Sequence, residues 1–307
     1  MTKSQIPRQP PIVFAEACDR GLVREENQDS VLHILVALGH LLIVADGIGG
    51  YQGGAVASRM VVESFRAHLA SLPHDYPAAQ AIEEASARAN ADVIAAASAP
   101  GAPYSRMGST VVLALVQFDA EGFRAWIGHI GDSRAYLVRA GQLSRITNDH
   151  SAVQALLNRN LITPEQAINH PDASVLTRSI GHHPKVEIDI EMVPLMPGDS
   201  LLLCSDGLWG FVPEEEIQKV AANPALTADA AAKALLQLAL NAGGHDNIGI
   251  QLARMADPAP LTPPAPPNRQ RGSINPQALA LLILTALSGL LFVAQRYHWF
   301  HALRLLR

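Results

Sequence analysis

The sequence of 307 residues has little cysteine, few aromatic residues and few charged ones. Its two cysteines, Cys18 and Cys204, lie in apolar runs, which predicts buried small hydrophobic side chains and gives no indication of a disulfide framework or a cysteine metal site. Charged residues make up 17% of the chain and the formal net charge is −5, so no basic field for nucleic acid exists. We therefore expect no nucleic-acid partner. The hydrophobic content of 49% is enough for a sizeable core.

The two ends of the chain differ in hydrophobicity. Residues 1–11 are polar and lack the apolar core of a secretory signal, so we expect a flexible N-terminus and a domain that stays in the cytoplasm. A proline-rich stretch at 258–275 predicts a stiff linker. Residues 276–295 carry no charge and have about the length that spans a bilayer. The sequence thus predicts one transmembrane helix in the cytoplasmic membrane, with a buried terminal helix as the alternative, and a short basic and aromatic tail at 296–307.

Three apolar runs end in an acidic residue. Asp46 follows a run of five apolar residues and precedes glycines, Asp206 follows a similar run, and Asp132 follows a looser one. Each pattern alone is also typical of a simple turn. Several buried carboxylates in one place are costly unless cations neutralise them. Carboxylates without histidine or thiolate partners suit Mg²⁺ or Mn²⁺, so we expect a site for several such ions.

Hydrophobic periodicity predicts strands that alternate with short turns, which favours antiparallel pairing, and helices that cover the resulting sheets. The segment 151–181 is polar and tends toward helix, with Thr163 as an N-cap before Pro164. The predicted strands are 12–18, 31–38, 41–45, 111–118, 123–130, 135–138, 186–193, 200–205 and 248–252, and the predicted helices are 55–69, 77–97, one starting near 213, and 227–242.

Seven short motifs occur in a fixed order between residues 12 and 254. They are Arg24 with Asn27-Gln28-Asp29, Asp46-Gly47 with Gly49-Gly50, Gly108-Ser109-Thr110, Gly131-Asp132-Ser133-Arg134, Asp149-His150-Ser151, Ser205-Asp206-Gly207-Leu208-Trp209 and Asp246-Asn247-Ile248-Gly249. This set resembles the metal-dependent serine/threonine protein phosphatases of the protein phosphatase 2C type, especially bacterial members. The resemblance implies an α+β fold, a four-layer α-β-β-α sandwich of two antiparallel sheets flanked by helices. It also implies a phosphatase domain at 12–257, with a substrate-contacting flap at about 151–181.

The resemblance implies a role for each acid. Asp46 is expected to bridge two Mn²⁺ or Mg²⁺ ions, and the carbonyl group of Gly47 to complete one coordination shell. Asp206 and Asp246 are expected to hold the other ion, with Asp29 acting nearby through metal-bound waters.

Two further residues complete the implied site. Asp132, together with Asp206, matches the position of a third, weaker ion in bacterial relatives. Arg24 is expected to clamp the substrate phosphate, which its planar guanidinium suits. In the reaction that follows, a hydroxide bridging the metal ions attacks phosphorus directly, without a protein nucleophile.

Two positions depart from the family pattern. Many members have glutamate where this chain has Gln28, and some carry a histidine proposed as general acid where this chain has Ile48. His150 is a candidate for that role, although a structural histidine that bonds its own loop is the favoured interpretation. For His182 and its neighbour His183, we expect a solvated turn and no metal site.

The leading hypothesis is a membrane-tethered phosphatase for phosphoserine and phosphothreonine. The expected partners are phosphorylated proteins, among them a membrane serine/threonine kinase or its substrates. A non-catalytic pseudophosphatase that binds phosphoproteins is the first alternative, motivated by Gln28 and the missing histidine. A metal-dependent nuclease is the second, and it conflicts with the acidic composition.

Overall fold

The fold is built on two antiparallel sheets in the residues that the computed structural model describes, 12–49, 53–102, 104–119, 122–168 and 170–256. The first sheet has the strand order β1-β11-β10-β7-β8, and the second has the order β2-β3-β5-β6-β9 with the short β4 paired to β3. The first sheet comprises β1 (Ile12–Asp19), β7 (Arg134–Arg139), β8 (Gln142–Arg145), β10 (Ser200–Cys204) and β11 (Ile248–Met255). The second comprises β2 (Asp29–Val36), β3 (Gly39–Ile48), β4 (Gly108–Ser109), β5 (Val111–Asp119), β6 (Gly122–Ile130) and β9 (Asp189–Leu195).

Helices cover the outer faces of both sheets. The second sheet packs against α1 (Gly53–Ala70) and α2 (Ala78–Ser98), and the first packs against α6 (Glu214–Ala221) and α7 (Ala228–Asn241). Three shorter helices are α3 (Ala152–Asn158) and α4 (Pro164–Ile168), between β8 and β9, and α5 (Asp206–Trp209), directly after β10.

Strand β3 is apolar on both of its faces, and both faces are covered in the fold. Leu41 and Ile43 pack in the core beneath α1 and α2, whereas Leu42 and Val44 pack in the core between the two sheets. Because side chains alternate along a strand, a strand covered on both sides becomes a continuous apolar run. This run carries Asp46 into the interior, and the predicted four-layer sandwich is confirmed.

Several local predictions are wrong in their bounds or burial. Cys204 is buried as expected, but Cys18 is exposed. The strand expected from 186 begins only at Asp189, and Pro77 is the N-cap of α2 rather than part of its first turn. Thr163 caps α4 as predicted, since its hydroxyl accepts a hydrogen bond from the Gln166 N–H group.

The predicted features at the chain ends, which are the N-terminus 1–11, the linker 258–275, the transmembrane helix 276–295 and the tail 296–307, lie outside the described residues. Within the described part, no helix combines the length and the apolar character of a membrane span.

Candidate active site

A cleft of about 980 Å³ collects most of the predicted site residues. Six of the seven, all except Asp29, line it directly. Asp29 lies beneath the cleft surface, only 6% exposed. The lining residues are Arg24, Glu25, Glu26, Gln28, Asp46, Gly47, Ile48, Gly49, Thr110, Asp132, Ser174, Leu176, Ser179, His182, Asp206, Asp246 and Asn247.

Asp29 and Asp46 are brought together by strand register, because they are directly paired across β2 and β3. The backbone of Asp46 is fixed on both sides: its N–H group donates to Thr110 Oγ1 at 3.1 Å, and its carbonyl oxygen accepts from Ser109 Oγ at 2.9 Å. One carboxylate oxygen of Asp29 accepts from Ser205 Oγ at 2.6 Å. The sheet thus delivers two carboxyl groups to one point and locks the chain that carries them.

The other sheet contributes Asp206 and Asp246. Asp206 is the first residue of α5, separated from β10 by Ser205 alone, and Asp246 lies in the loop that precedes β11. These two strands are hydrogen-bonded neighbours, so the residues that flank them meet at the same edge. The fit is close, because a Cβ atom at Gly207 would lie 1.9 Å from the carbonyl oxygen of Asn247. Only glycine permits that contact, which explains the Asp-Gly pair here.

The electrostatics show how closely these acids share the site. Burial raises the pKa of Asp46 well above its usual range, and the charges of Asp29 and Asp206 raise it further. Burial, followed by the charges of Asp132 and Asp246, raises the pKa of Asp206 in the same way. Burial also raises the pKa of Asp29 to about 7. The hydrogen bond from Ser205 lowers this pKa, and the charge of Asp246 raises it.

Asp132 stands at the same cleft, in the loop between β6 and β7. Burial, and then the charge of Asp149, raise its pKa to about 6. Asp149 is itself paired with Arg134, whose guanidinium carbon lies 3.4 Å above the Trp209 ring. A cation–π contact of this kind holds the Arg134 guanidinium that pairs with Asp149.

Arg24 lies at the rim, with its side chain 56% exposed, and its Nη2 donates to Asp246 Oδ2 at 2.8 Å. Asn247 holds the loop that carries it. The Asn247 side chain donates to the carbonyl oxygens of Arg20 and Glu26 and accepts from the Gln28 N–H group, at 2.8 to 2.9 Å. The guanidinium is therefore positioned beside the acids and still reaches solvent.

The donor set fits divalent cations. Oδ1 of Asp29 is buried and has no hydrogen-bond partner, which an ion or its bound water would supply. The acids raise one another's pKa, as acids do where no cation neutralises them. Hard cations prefer such oxygen ligands. Asp46, the Gly47 carbonyl group, Asp206 and Asp246 would hold two ions, Asp29 would support them, and Asp132 with Asp206 would hold a third.

A different cluster also meets a geometric criterion for a metal site. In the described part of the chain, the ligand atoms of His129, His150 and Asp189 all lie within 4.8 Å of one another. No three carboxylates of the cleft lie that close together in the described residues. Two ions several ångströms apart need ligands that are spread more widely than that. In the cluster, the Nδ1 atom of His150 already accepts from Gly131 N–H, and Arg178 already pairs with Asp189.

The two histidine interpretations have different outcomes. His150 has a structural role as expected, but its ring bonds Gly131 and Asp189 and not its own loop, and burial lowers its pKa to about 4. The solvated turn at His182 and His183 is exposed as expected. The prediction is incomplete for His182, however, because this side chain lines the cleft.

Sequence reasoning assigned no role to several residues that build the site. Thr110 and Ser205 fix the chain at Asp46 and Asp29, and Asn247 fixes the Arg24 loop. All three occur within the seven motifs, so the signal was present. Their contacts join residues far apart in sequence, which a motif alone does not reveal.

Comparison with known proteins agrees with this geometry. The family model described as protein phosphatase 2C matches residues 23–241. The chain belongs to the protein phosphatase 2C family. Among its relatives, the serine/threonine protein phosphatase PstP of Mycobacterium tuberculosis is 39% identical over 246 residues, or 80% of this chain and 45% of the relative. The chain thus spans less than half of that relative. The serine/threonine phosphatase stp of Listeria monocytogenes is 34% identical, covering 76% of this chain and 92% of the relative.

Solved structures extend the family likeness to the fold. The catalytic domain of PstP, solved in complex with two manganese ions, is similar with a TM-score of 0.70 and 34% identity over 80% of this chain and 99% of that one. A serine/threonine phosphatase of S. agalactiae gives a TM-score of 0.73 at 29% identity, covering 80% and 100%. The predicted family and its sandwich fold are therefore confirmed, and the two manganese ions of the PstP domain agree with the expected divalent cofactors.

Proposed function

We propose that the chain hydrolyses phosphoserine and phosphothreonine in proteins. The observation that carries the proposal is the convergence of four acids from both sheets, Asp46, Asp132, Asp206 and Asp246, on one cleft beside Arg24. Phosphate esters of serine and threonine are anionic, and a cleft this acidic receives them only when cations are present.

The residues of the chain divide the work. The carboxylates hold the cations, and the buried Asp29 supports them from below. Arg24 clamps the phosphate, since a guanidinium offers five N–H donors and only one is used with Asp246 here. Divalent cations held by Asp46, the Gly47 carbonyl group, Asp206 and Asp246 would supply a water of lowered pKa as the nucleophile near neutral pH.

Activity assays test this proposal. The purified chain with Mn²⁺ is expected to release phosphate from a phosphothreonine peptide, and to stop when a chelator is added. Asp46→Asn is expected to lower the rate by at least about 100-fold, because even outer-shell changes weaken metal affinity by up to that factor. The matched control is Asp229→Asn on the exposed face of α7, which should leave the rate of phosphate release unchanged.

Other outcomes would contradict the proposal. Activity that persists with chelator would rule out a metal-dependent phosphatase. Tight phosphopeptide binding without turnover at saturating Mn²⁺ would favour the pseudophosphatase, and hydrolysis of a phosphodiester would favour a nuclease.

We further propose that residues 276–295 tether this domain to the cytoplasmic membrane with the cleft in the cytoplasm. The charge-free apolar run and the proline-rich linker before it support this. A polyproline-like linker extends about 3 Å per residue and raises the effective concentration of the domain near membrane-bound phosphoproteins. A membrane serine/threonine kinase, or a substrate of one, is the partner this arrangement serves.

Cell fractionation tests the tether. The full chain should remain in the membrane pellet after an alkaline carbonate wash, whereas a chain truncated after Asp257 should be soluble. Equal recovery of both in the soluble fraction would contradict it.

A further inference from the structure

The proposed reaction leaves one chemical need unmet, and the inference below rests on that proposed function. When the phosphorus–oxygen bond of phosphoserine or phosphothreonine breaks, an aliphatic alkoxide departs. Such an alkoxide is a strong base and therefore a poor leaving group. Its departure is faster when an acid protonates it as the bond breaks. A positioned general acid contributes about 10² to 10⁴ in rate.

The cleft offers few groups that can supply this proton. Among its described lining residues, the carboxyl groups proposed as metal ligands lose their protons when cations bind. Glu25 and Glu26 also line the cleft, but no hydrogen bond to a described residue fixes either carboxyl group, since the bonds they make go through their backbone carbonyl oxygens. A guanidinium group does not act as a proton donor in proteins, which leaves Arg24 out. His182 is the histidine among these lining residues, and histidine is the side chain that most often serves as a general acid.

The backbone around His182 is held rigidly. Asn90, buried in α2, accepts a hydrogen bond from the Gly181 N–H group at 2.8 Å and donates to the His183 carbonyl oxygen at 2.9 Å. Immediately before it, Ile180 pairs with Ser109 through two backbone hydrogen bonds of 2.9 and 3.0 Å. The residue is exposed, but the chain on both sides of it is anchored to the core.

The imidazole ring is oriented as well. Its Nδ1 atom lies 2.6 Å from the hydroxyl oxygen of Ser179, a residue only 5% exposed. The ring also packs against Gly108, since a Cβ atom at Gly108 would lie only 2.7 Å from the Cε1 atom of His182. Gly108 is paired with Ile48, the residue after Gly47, so the ring stands over the strand pair that borders the proposed metal ligands. The described residues provide no hydrogen-bond partner for the Nε2 atom.

We propose that His182 is the general acid that protonates the leaving oxygen. In the step, hydroxide forms a bond to phosphorus and the bond from phosphorus to the substrate oxygen breaks. The electron pair of that bond passes to the substrate oxygen, which takes the proton from Nε2 of the imidazolium. Nδ1–H continues to donate to Ser179, and the neutral ring regains a proton from water.

Leaving-group dependence tests this role. His182→Gln, assayed with Mn²⁺, should hydrolyse a phosphothreonine peptide at least about 100-fold more slowly than the parent chain. It should hydrolyse p-nitrophenyl phosphate at the parent rate, because p-nitrophenolate departs without a proton. Calorimetry should give an unchanged Mn²⁺ affinity. The matched control is His183→Gln, which removes the neighbouring exposed imidazole and should leave both rates unchanged.

Two results would overturn the proposal. An equal loss on both substrates would assign His182 to binding or structure, and an unchanged rate on phosphothreonine would show that the proton comes from elsewhere. Failure of the parent chain to hydrolyse either substrate is a different result, and it would contradict the proposed function itself.

Discussion

At the scale of single residues, the cleft depends on side chains that have no proposed role in binding phosphate or metal. Asn247 is the clearest case, since its amide group holds three backbone groups of the Arg24 loop while the residue is only 5% exposed. Its own N–H group also donates to Asp246 Oδ1 at 2.8 Å. One buried amide therefore connects the proposed phosphate clamp, Arg24, to a proposed metal ligand, Asp246.

Asn247→Ala should test that link. Removing the amide leaves buried backbone groups without partners, and each costs about 1–3 kcal/mol. We expect a lower melting temperature and a KM for phosphopeptide that rises more than kcat falls. Asn241→Ala, at the exposed end of α7, is the control. A variant with parental melting temperature and KM would show that Asn247 does not position the loop.

At the scale of elements, short pairings set the geometry of the cleft. Strand β3 continues two residues past Asp46 because Gly47 and Ile48 pair with the two-residue strand β4. Similarly, α5 packs so closely on the loop before β11 that the second residue of α5, Gly207, admits no side chain. These contacts fix Asp46 and Asp206 relative to Asp246.

Gly207→Ala tests the packing of α5. The added methyl group meets backbone 1.9 Å away, so α5 and the Asp246 loop must separate. We expect Mn²⁺ affinity to fall about 10- to 100-fold, the range for disturbed metal surroundings, in a calorimetric titration. Gly53→Ala in the first turn of α1, where space is nearly sufficient, is the control. Parental affinity in Gly207→Ala would contradict the proposed coupling.

Sequence patterns predict the sandwich well and the shorter elements poorly. The buried strand β3 and the acids at the ends of such strands can be predicted from the sequence, because a strand buried on both faces is a continuous apolar run. Strand β9 starts later than expected because Val186 and Ile188 alternate to pack on the core without pairing to a strand. Contacts between distant residues, such as Ser179 with His182, have no periodic signal and remained hidden.

At the scale of the whole molecule, the sandwich brings acids from two sheets into one cleft. We therefore expect cation binding to be coupled to the release of protons from these acids. The pKa of Asp29 is raised to about 7, and those of Asp46 and Asp206 are raised well above their usual range, chiefly by burial. The cation-free folded chain therefore holds more protons than the unfolded chain, and its stability falls as pH rises from about 4 through 7.

Binding of Mn²⁺ at pH 7 should then release protons, because the carboxyl ligands must ionise. Calorimetry in two buffers with different heats of ionisation measures this release directly. His150, with its pKa lowered to about 4, stays neutral at pH 7 and does not contribute. A binding enthalpy that is the same in both buffers would contradict the coupling.

The most direct test of the whole account is the anomalous scattering of Mn²⁺ in a crystal of the chain, measured at the manganese absorption edge. We predict two strong peaks in the cleft, with Asp46 contacting both ions and Asp206 and Asp246 contacting one. An empty cleft, or a peak only at the His129, His150 and Asp189 cluster, would contradict it.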